Sequence, residues 1–235
     1  VVVGTLYGIS VGPGDPELIT LKGLRLLKHA SVVAFPAGIR GHLGMAEQIV
    51  AEWLNPEQVR LALTFPYVQD MAVLTQAWQI AAAQVWDYLE QGQDVAFVCE
   101  GDVSFYSTFT YLAQALQQTH PRVQIQVIPG VCSPLAAAAA LGLPLTLRDQ
   151  RLVILPALYT VTELDTALQW AEVVVLLKVS SVYKQVWSVL QQQHLLEHSY
   201  VIERATSPQQ VIHRDLQHKP DLELPYFSLM VIWKN

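Results

Sequence analysis

The sequence is poor in cysteine, in charge and in basic clusters, and each shortage narrows what the protein can be. Its two cysteines, Cys99 and Cys132, form no CxxC pair. They fit a reduced, cytoplasmic protein better than a disulfide scaffold. Only 14% of residues are charged, the formal net charge is −6, and no Lys/Arg run occurs. A duplex-binding protein presents a basic face, so nucleic acid is not an expected partner. No unbroken apolar run reaches bilayer length. The richest stretch, 131–147, contains Ser133, Pro134, Gly142 and Pro144, and it is too short and too interrupted to span a membrane. No charged n-region precedes the first apolar run, so no secretory signal peptide is expected. The usual phosphate loops are missing too. Gly12-x-Gly14 is followed by Glu17 where a dinucleotide fingerprint needs a third glycine, and no Gly-Lys-Ser/Thr follows for a P-loop.

What is present is apolar and regular. The 235 residues, 52% of them hydrophobic, suffice for two compact domains with a large core. Strands are expected at 2–9, 31–35, 94–99, 123–128, 151–156, 173–178, 199–203 and 226–233. Several are Val/Ile/Leu runs without polar alternation, as in strands covered on both faces. Helices are expected at 18–28, 44–53, 71–91, 107–118, 133–141, 162–170 and 183–194. The βαβα order of the first half argues for a parallel α/β sheet. The segment 143–149 reads as a hinge, which puts an N-terminal α/β domain at 1–145 and a second α/β domain, with a mixed sheet, at 146–235.

Three turns stand at the ends of expected strands. The first, Val11-Gly12-Pro13-Gly14-Asp15-Pro16, follows the first strand and opens a helix. The second is Glu100-Gly101-Asp102-Val103-Ser104-Phe105-Tyr106-Ser107, and the third is Pro129-Gly130-Val131-Cys132-Ser133. Glycine lets backbone amides approach a ligand, and proline stiffens the turn. Such turns should cluster on the edge where open parallel sheets bind ligands. Any one of them alone would read as an ordinary turn. Three together, with Asp15 and Asp102 beside glycines, argue for a site.

These three loops resemble the signature loops of the tetrapyrrole (corrin/porphyrin) methylases, S-adenosyl-L-methionine-dependent enzymes of cobalamin and sirohaem synthesis. The resemblance spans essentially the whole chain. Within the family, Gly4-Thr5-Leu6-Tyr7-Gly8, the second loop, Leu177-Lys178-Val179-Ser180-Ser181, Glu203-Arg204-Ala205-Thr206 and Pro225-Tyr226-Phe227-Ser228-Leu229 are most similar to the subfamily that methylates C20 of precorrin-2. Two residues depart from the pattern. Ser10 stands where glycine is frequent, and Val103 replaces the proline of the commoner Gly-Asp-Pro loop.

The resemblance implies two α/β domains with a cleft between them, a homodimer, and a flat tetrapyrrole substrate lying beside the methyl donor. Carried over by motif, the cofactor contacts implied are Pro13, Glu100, Gly101, Asp102, Ser107, Cys132 and Ser133 from the first domain and its junction. From the second they are Leu177, Ala205, Thr206 and Ser228. Asp102 and Tyr106 are the candidates for relocating a proton on the macrocycle, while Asp102 equally suits capping its own loop. An acidic chain must bind the substrate's carboxylates locally. Arg40, His42, Arg148 and Arg151 are the candidates, with solvated surface charge as the alternative for each. The resemblance implies precorrin-2 or cobalt-factor II as substrate; a same-family methylase acting at another ring carbon is the nearer rival, and a non-catalytic tetrapyrrole or nucleotide binder is the rival class.

Other signals read as structural. His194-Leu195-Leu196-Glu197-His198 matches H-x-x-E-H. A zinc site needs a rigid third ligand, Glu203 follows too soon, and a helix end carrying two histidines is the better reading, so no metal is expected. Trp78 and Trp86 fit core packing of a long helix. Lys178 suits a salt bridge or a packed stem, and Tyr226 and Phe227 suit either core or macrocycle stacking.

Overall fold

A computed structural model describes residues 2–38, 42–156 and 161–234. The chain divides into two compact units, Val1–Cys132 and Ser133–Asn235. The first contains strands β1 (Thr5–Ser10), β2 (Val32–Pro36), β3 (Val59–Leu63), β4 (Val95–Cys99) and β5 (Gln124–Ile128). Its helices are α1 (Leu21–His29), α2 (Met45–Val50), α3 (Met71–Leu89) and α4 (Phe109–Thr119). All five strands run parallel in the order β3-β2-β4-β1-β5.

The unbroken apolar runs have a simple cause. Successive side chains point to opposite faces. In β4, Val95, Phe97 and Cys99 face α3 and α4 in one core cluster, while Ala96 and Val98 join α1 and α2 in another. A strand buried on both faces has no polar side to show. Trp78 stacks on Tyr111 with centroids 4.3 Å apart, and Trp86 on His120 at 3.5 Å, so both tryptophans lock α3 to α4.

The second unit contains α5 (Ser133–Leu141), β6 (Leu152–Leu155), α6 (Thr162–Trp170), β7 (Val173–Leu177), α7 (Tyr183–Gln192), β8 (Ser199–Glu203), β9 (Val211–His213) and β10 (Ser228–Trp233). Its sheet is mixed, in the order β6-β7-β10-β8-β9. β6 and β7 are parallel, whereas β10 is antiparallel to both β7 and β8. Helix α5 goes with this unit because it packs against β10. Its alanine run serves that close approach, with Ala136, Ala137 and Ala138 buried.

Two strands escape a reading of the sequence. β3 mixes Val, Arg, Leu and Ala, and it lies at a sheet edge with mostly exposed residues. It is held there by Gln58, whose side-chain amide donates to the carbonyls of Leu27 and Ala30 at 2.7 and 2.8 Å. β9 has only three residues. Helix α7 ends at Gln192 instead of running to 194, and His194 adopts a left-handed φ of 56°. His198 follows in a separate short 3-10 turn, so the H-x-x-E-H residues do not share a helix face. Among the described residues, no group of three His, Cys, Asp or Glu is placed to hold a metal ion.

The segment after β9 is tied to α7 by two buried donors. The Tyr183 hydroxyl donates to the Lys219 carbonyl and the Trp187 indole to the Leu216 carbonyl, each at 2.7 Å. Burial pushes the Tyr183 hydroxyl up to about 12, whereas an unfolded tyrosine titrates near ~10. Its raised value makes its contribution complete below about pH 10 and lost as pH rises toward its folded value. Tyr183→Phe is expected to cost about 1 kcal/mol at neutral pH. Urea denaturation should show the gap between wild type and variant narrowing above about pH 10. A gap unchanged by alkali would contradict this assignment.

Candidate functional site

In the parallel sheet, β4, β1 and β5 are neighbours, so the loops that leave their carboxyl ends emerge side by side. The first two are joined by backbone. The Val11 amide donates to the Cys99 carbonyl at 3.0 Å. Gly12 and Gly101 exchange both hydrogen bonds, at 3.3 and 2.8 Å. This pairing turns the chain at a φ of 79° at Gly12 and 70° at Gly101, where a side chain would be strained.

Asp102 joins the second loop to the third. Its Oδ2 accepts from the Gly130 amide at 2.7 Å. Its Oδ1 accepts from the Ser104 amide at 2.8 Å and from the Ser104 hydroxyl. Burial pushes the carboxyl upward, but hydrogen bonds from Ser104 and Gly130 outweigh it and hold the pKa below the ordinary carboxylate value. The group is therefore ionised at neutral pH with both oxygens engaged. Of the two roles read from the sequence, this geometry favours loop capping. A general base needs an available lone pair and a pKa near the working pH.

Ser107 is likewise committed inward. Its hydroxyl accepts from the Phe109 amide at 3.1 Å, which starts α4, and lies 3.0 Å from the Cys99 sulfur. Burial, then the charge of Glu100, pushes the Cys99 thiol up to about 12, so it is no nucleophile. Tyr106 differs. It is exposed, it adopts a left-handed φ of 51°, and it meets Phe105 edge-on at 4.8 Å. Pro13, Glu100 and Cys132 are half-buried in the three loops. Asp15 caps the short turn after the first loop, accepting from the Glu17 amide at 2.9 Å. His42 is exposed in the connection that leaves the carboxyl end of β2, while Arg40 lies outside the described residues.

Sequence reasoning passed over Gly130 as a site residue. A Cβ there would stand 2.5 Å from the Ser10 Cβ, so only glycine lets the third loop approach this closely. The Pro-Gly pair after a strand was its only signal.

In the second unit, β10 runs against β7 and β8, so its start lies at their carboxyl ends. Leu177 pairs with Leu229, and Glu203 with Ser228. Leu177, Ala205 and Ser228 are buried there, and the Ser228 hydroxyl donates to the Pro225 carbonyl at 2.6 Å. The Arg204 amide donates to Phe227 O at 2.8 Å, and the Thr206 amide to Gln210 Oε1 at 2.6 Å. Three non-glycine residues on this edge are left-handed: Lys178 at 55°, Arg204 at 44° and Thr206 at 67°. Such outliers persist only where surrounding structure enforces them. The Lys178 ammonium lies 5.0 Å from the Tyr226 ring centroid, a cation–π contact. Beside them, Glu203 and His213 form a 2.7 Å pair across β8 and β9.

Ser133, half-buried, opens α5. The structure does not bring Arg151 to the edge of Leu177. It stands before β6, at the amino end of the β6–β7 pair, and Glu172 engages it through two side-chain bonds of 3.1 and 2.6 Å. Arg148, exposed with a φ of 49°, precedes the same strand. What the three loops of the first unit offer chemically is a set of backbone groups on one edge, held by an ionised carboxylate.

Comparison with known proteins fits this geometry. The family model described as Tetrapyrrole (Corrin/Porphyrin) Methylases matches residues 5–219. Cobalamin biosynthesis protein CobIJ of Mycobacterium tuberculosis is 34% identical over 97% of this chain and 46% of its own. The chain thus spans about half the length of these first relatives. Cobalt-precorrin-2 C(20)-methyltransferase of Salmonella typhimurium is 32% identical over 99% of this chain and 97% of its own. Among solved structures, the cobalt precorrin-4 methyltransferase CbiF superposes with a TM-score of 0.76 at 25% identity, covering 97% of this chain and 94% of that one. A uroporphyrin-III C-methyl transferase from Thermus thermophilus, complexed with S-adenosylhomocysteine, gives 0.69 at 23% identity, covering 98% and 97%. On the strength of the family match and of these near full-length relatives, the chain belongs to the tetrapyrrole (corrin/porphyrin) methylases.

Proposed function

We propose that this chain transfers a methyl group from S-adenosyl-L-methionine to C20 of precorrin-2 or cobalt-factor II, a step of cobalamin biosynthesis. The observation that carries the reading is the 32% identity, over nearly the full length of both chains, to a cobalt-precorrin-2 C(20)-methyltransferase. A precorrin-2 C(20)-methyltransferase of Sinorhizobium has the same identity over 99% of this chain. The S-adenosylhomocysteine held by the Thermus neighbour supports the choice of donor.

The loops of the first unit suit such a donor. Around the place of a Cβ on Gly101, the one neighbour within 4.0 Å is the Cys132 Cα, so a ligand can come close to the backbone. In the proposed site, Pro13, Glu100, Gly101, Asp102, Ser107, Cys132 and Ser133 line or shape the donor contacts. In the second unit, buried Leu177 and Ala205 supply apolar surface for adenine, with Thr206 and Ser228 beside them. When bound, the donor supplies an electrophilic methyl on a sulfonium that leaves as a neutral thioether. The chain contributes by fixing orientation and excluding water, since charge disperses along that path. Asp102 holds its loop, which leaves exposed Tyr106 as the stronger candidate for proton relocation. Arg40, His42, Arg148 and Arg151 are the proposed partners for the substrate carboxylates, Arg151 being also paired with Glu172. A homodimer and a cytoplasmic location belong to the same proposal. No helix among the described residues is long and apolar enough to cross a membrane.

The direct test supplies labelled S-adenosylmethionine with precorrin-2 and with cobalt-factor II separately. Mass spectrometry should find one added methyl, placed at C20 by NMR. Binding of the tetrapyrrole without methyl transfer would favour a non-catalytic binder, and methylation at another ring carbon would refute the regiochemistry.

Two variants test the donor loop. Gly101→Val should abolish detectable S-adenosylhomocysteine binding, because a branched side chain is strained at a φ of 70° and fills the approach. Asp102→Ala should weaken binding by about 1–3 kcal/mol, the range for a buried amide left without its acceptor. Calorimetry showing wild-type affinity in both would remove this loop from the site.

A further inference from the structure

We propose that Ser10 is a positioning residue of the methyl-donor site, in which one buried hydroxyl sets the spacing of all three loops. The inference rests on the donor reading above and adds a residue that the loop motifs do not include.

Ser10 is the last residue of β1, the strand between β4 and β5, and it has no exposed surface. A serine hydroxyl offers one donor and two acceptor lone pairs. Here it uses both functions, each toward a different loop. It donates to the Ile128 carbonyl at 2.7 Å, where β5 gives way to the third loop. It accepts from the Val103 amide at 2.8 Å, one residue past Asp102 in the second loop. Val103 directly follows Asp102, the carboxylate that holds Gly130. A buried serine that served only its own strand would bond within that strand. The partners of this one are the last residue of β5 and a residue of the loop after β4, the two strands that flank its own.

Packing couples the same residues. The Ser10 Cβ occupies the space that a Cβ on Gly130 would need, the two being only 2.5 Å apart. The Ser10 and Gly101 carbonyls come next, at 3.4 and 3.5 Å, which are ordinary contacts. A serine at 10 therefore demands a glycine at 130, and the pair fixes how near the third loop comes to the first. At this position glycine, which is frequent in the family pattern, would fill less space and offer no hydroxyl.

The test compares wild type with Ser10→Ala and with the double variant Ser10→Gly Gly130→Ala. The double variant restores the lost volume on the opposite side of the contact without the hydroxyl. Near-UV circular dichroism should show both folded at 25 °C. S-adenosylhomocysteine affinity by calorimetry should fall about tenfold in each, the scale of one buried hydrogen-bonding group. The KM for the tetrapyrrole should change by less than about twofold, because the hydroxyl orders the donor loops. Wild-type affinity in a folded variant would overturn the proposal. So would equal losses of donor affinity and tetrapyrrole binding, which would mean general loosening. Failure of both variants to fold would also overturn it, by making Ser10 a residue of the fold. If the wild-type chain itself does not bind S-adenosylhomocysteine, the donor reading fails first, and the inference falls with it.

Discussion

A single charged hydrogen bond, from the Gly130 amide to Asp102 Oδ2, closes the candidate site of the first unit. The parallel sheet brings the ends of β4, β1 and β5 together, but adjacency alone does not fix loops. The Gly12–Gly101 pairing ties the first to the second, and Asp102 ties the second to the third. An ionised carboxylate makes stronger hydrogen bonds than a neutral acceptor. One such group, held by several donors, orders a stretch of chain that contains no helix and no strand. The loops can then present backbone groups at small entropic cost on binding, the general benefit of preorganisation.

The second unit reaches a similar result by another route. Its sheet is mixed, and the antiparallel β10 delivers Tyr226, Phe227 and Ser228 to the edge where β7 and β8 end. Left-handed Lys178, Arg204 and Thr206 turn the chain sharply there. In the first unit the Asp102 and Ser107 side chains are spent on the protein's own backbone, and in the second so is the Ser228 hydroxyl. That is consistent with recognition of a ligand through main-chain groups and apolar surface.

Much of the fold was legible because burial on both faces writes a plain signal. The runs at 94–99 and 173–178 contain almost nothing polar, and both are buried strands. β3 was not legible, because an edge strand needs no such run and Arg60 hides it. Helix α5 was found, but its allegiance to the second unit depends on packing against β10, which no local pattern encodes. At the site, the glycine-rich loops were visible as motifs, whereas the use of each side chain was not. Ser107 reads as a ligand group, and its hydroxyl also accepts from the amide that starts α4. Arg151 reads as a carboxylate clamp and is held by Glu172, a residue 21 positions away. Ser10 looked like a mere departure from glycine, because its partners lie 93 and 118 residues distant in sequence.

The account stands or falls on Asp102 being an ionised structural acceptor rather than a proton-transfer group. An NMR titration of its side-chain carboxyl, in the free chain and with S-adenosylhomocysteine bound, measures this directly. The account predicts a pKa below the ordinary aspartate value of about 3.9 in both states. A pKa raised toward neutrality in either state would contradict it and return Asp102 to the role of a base.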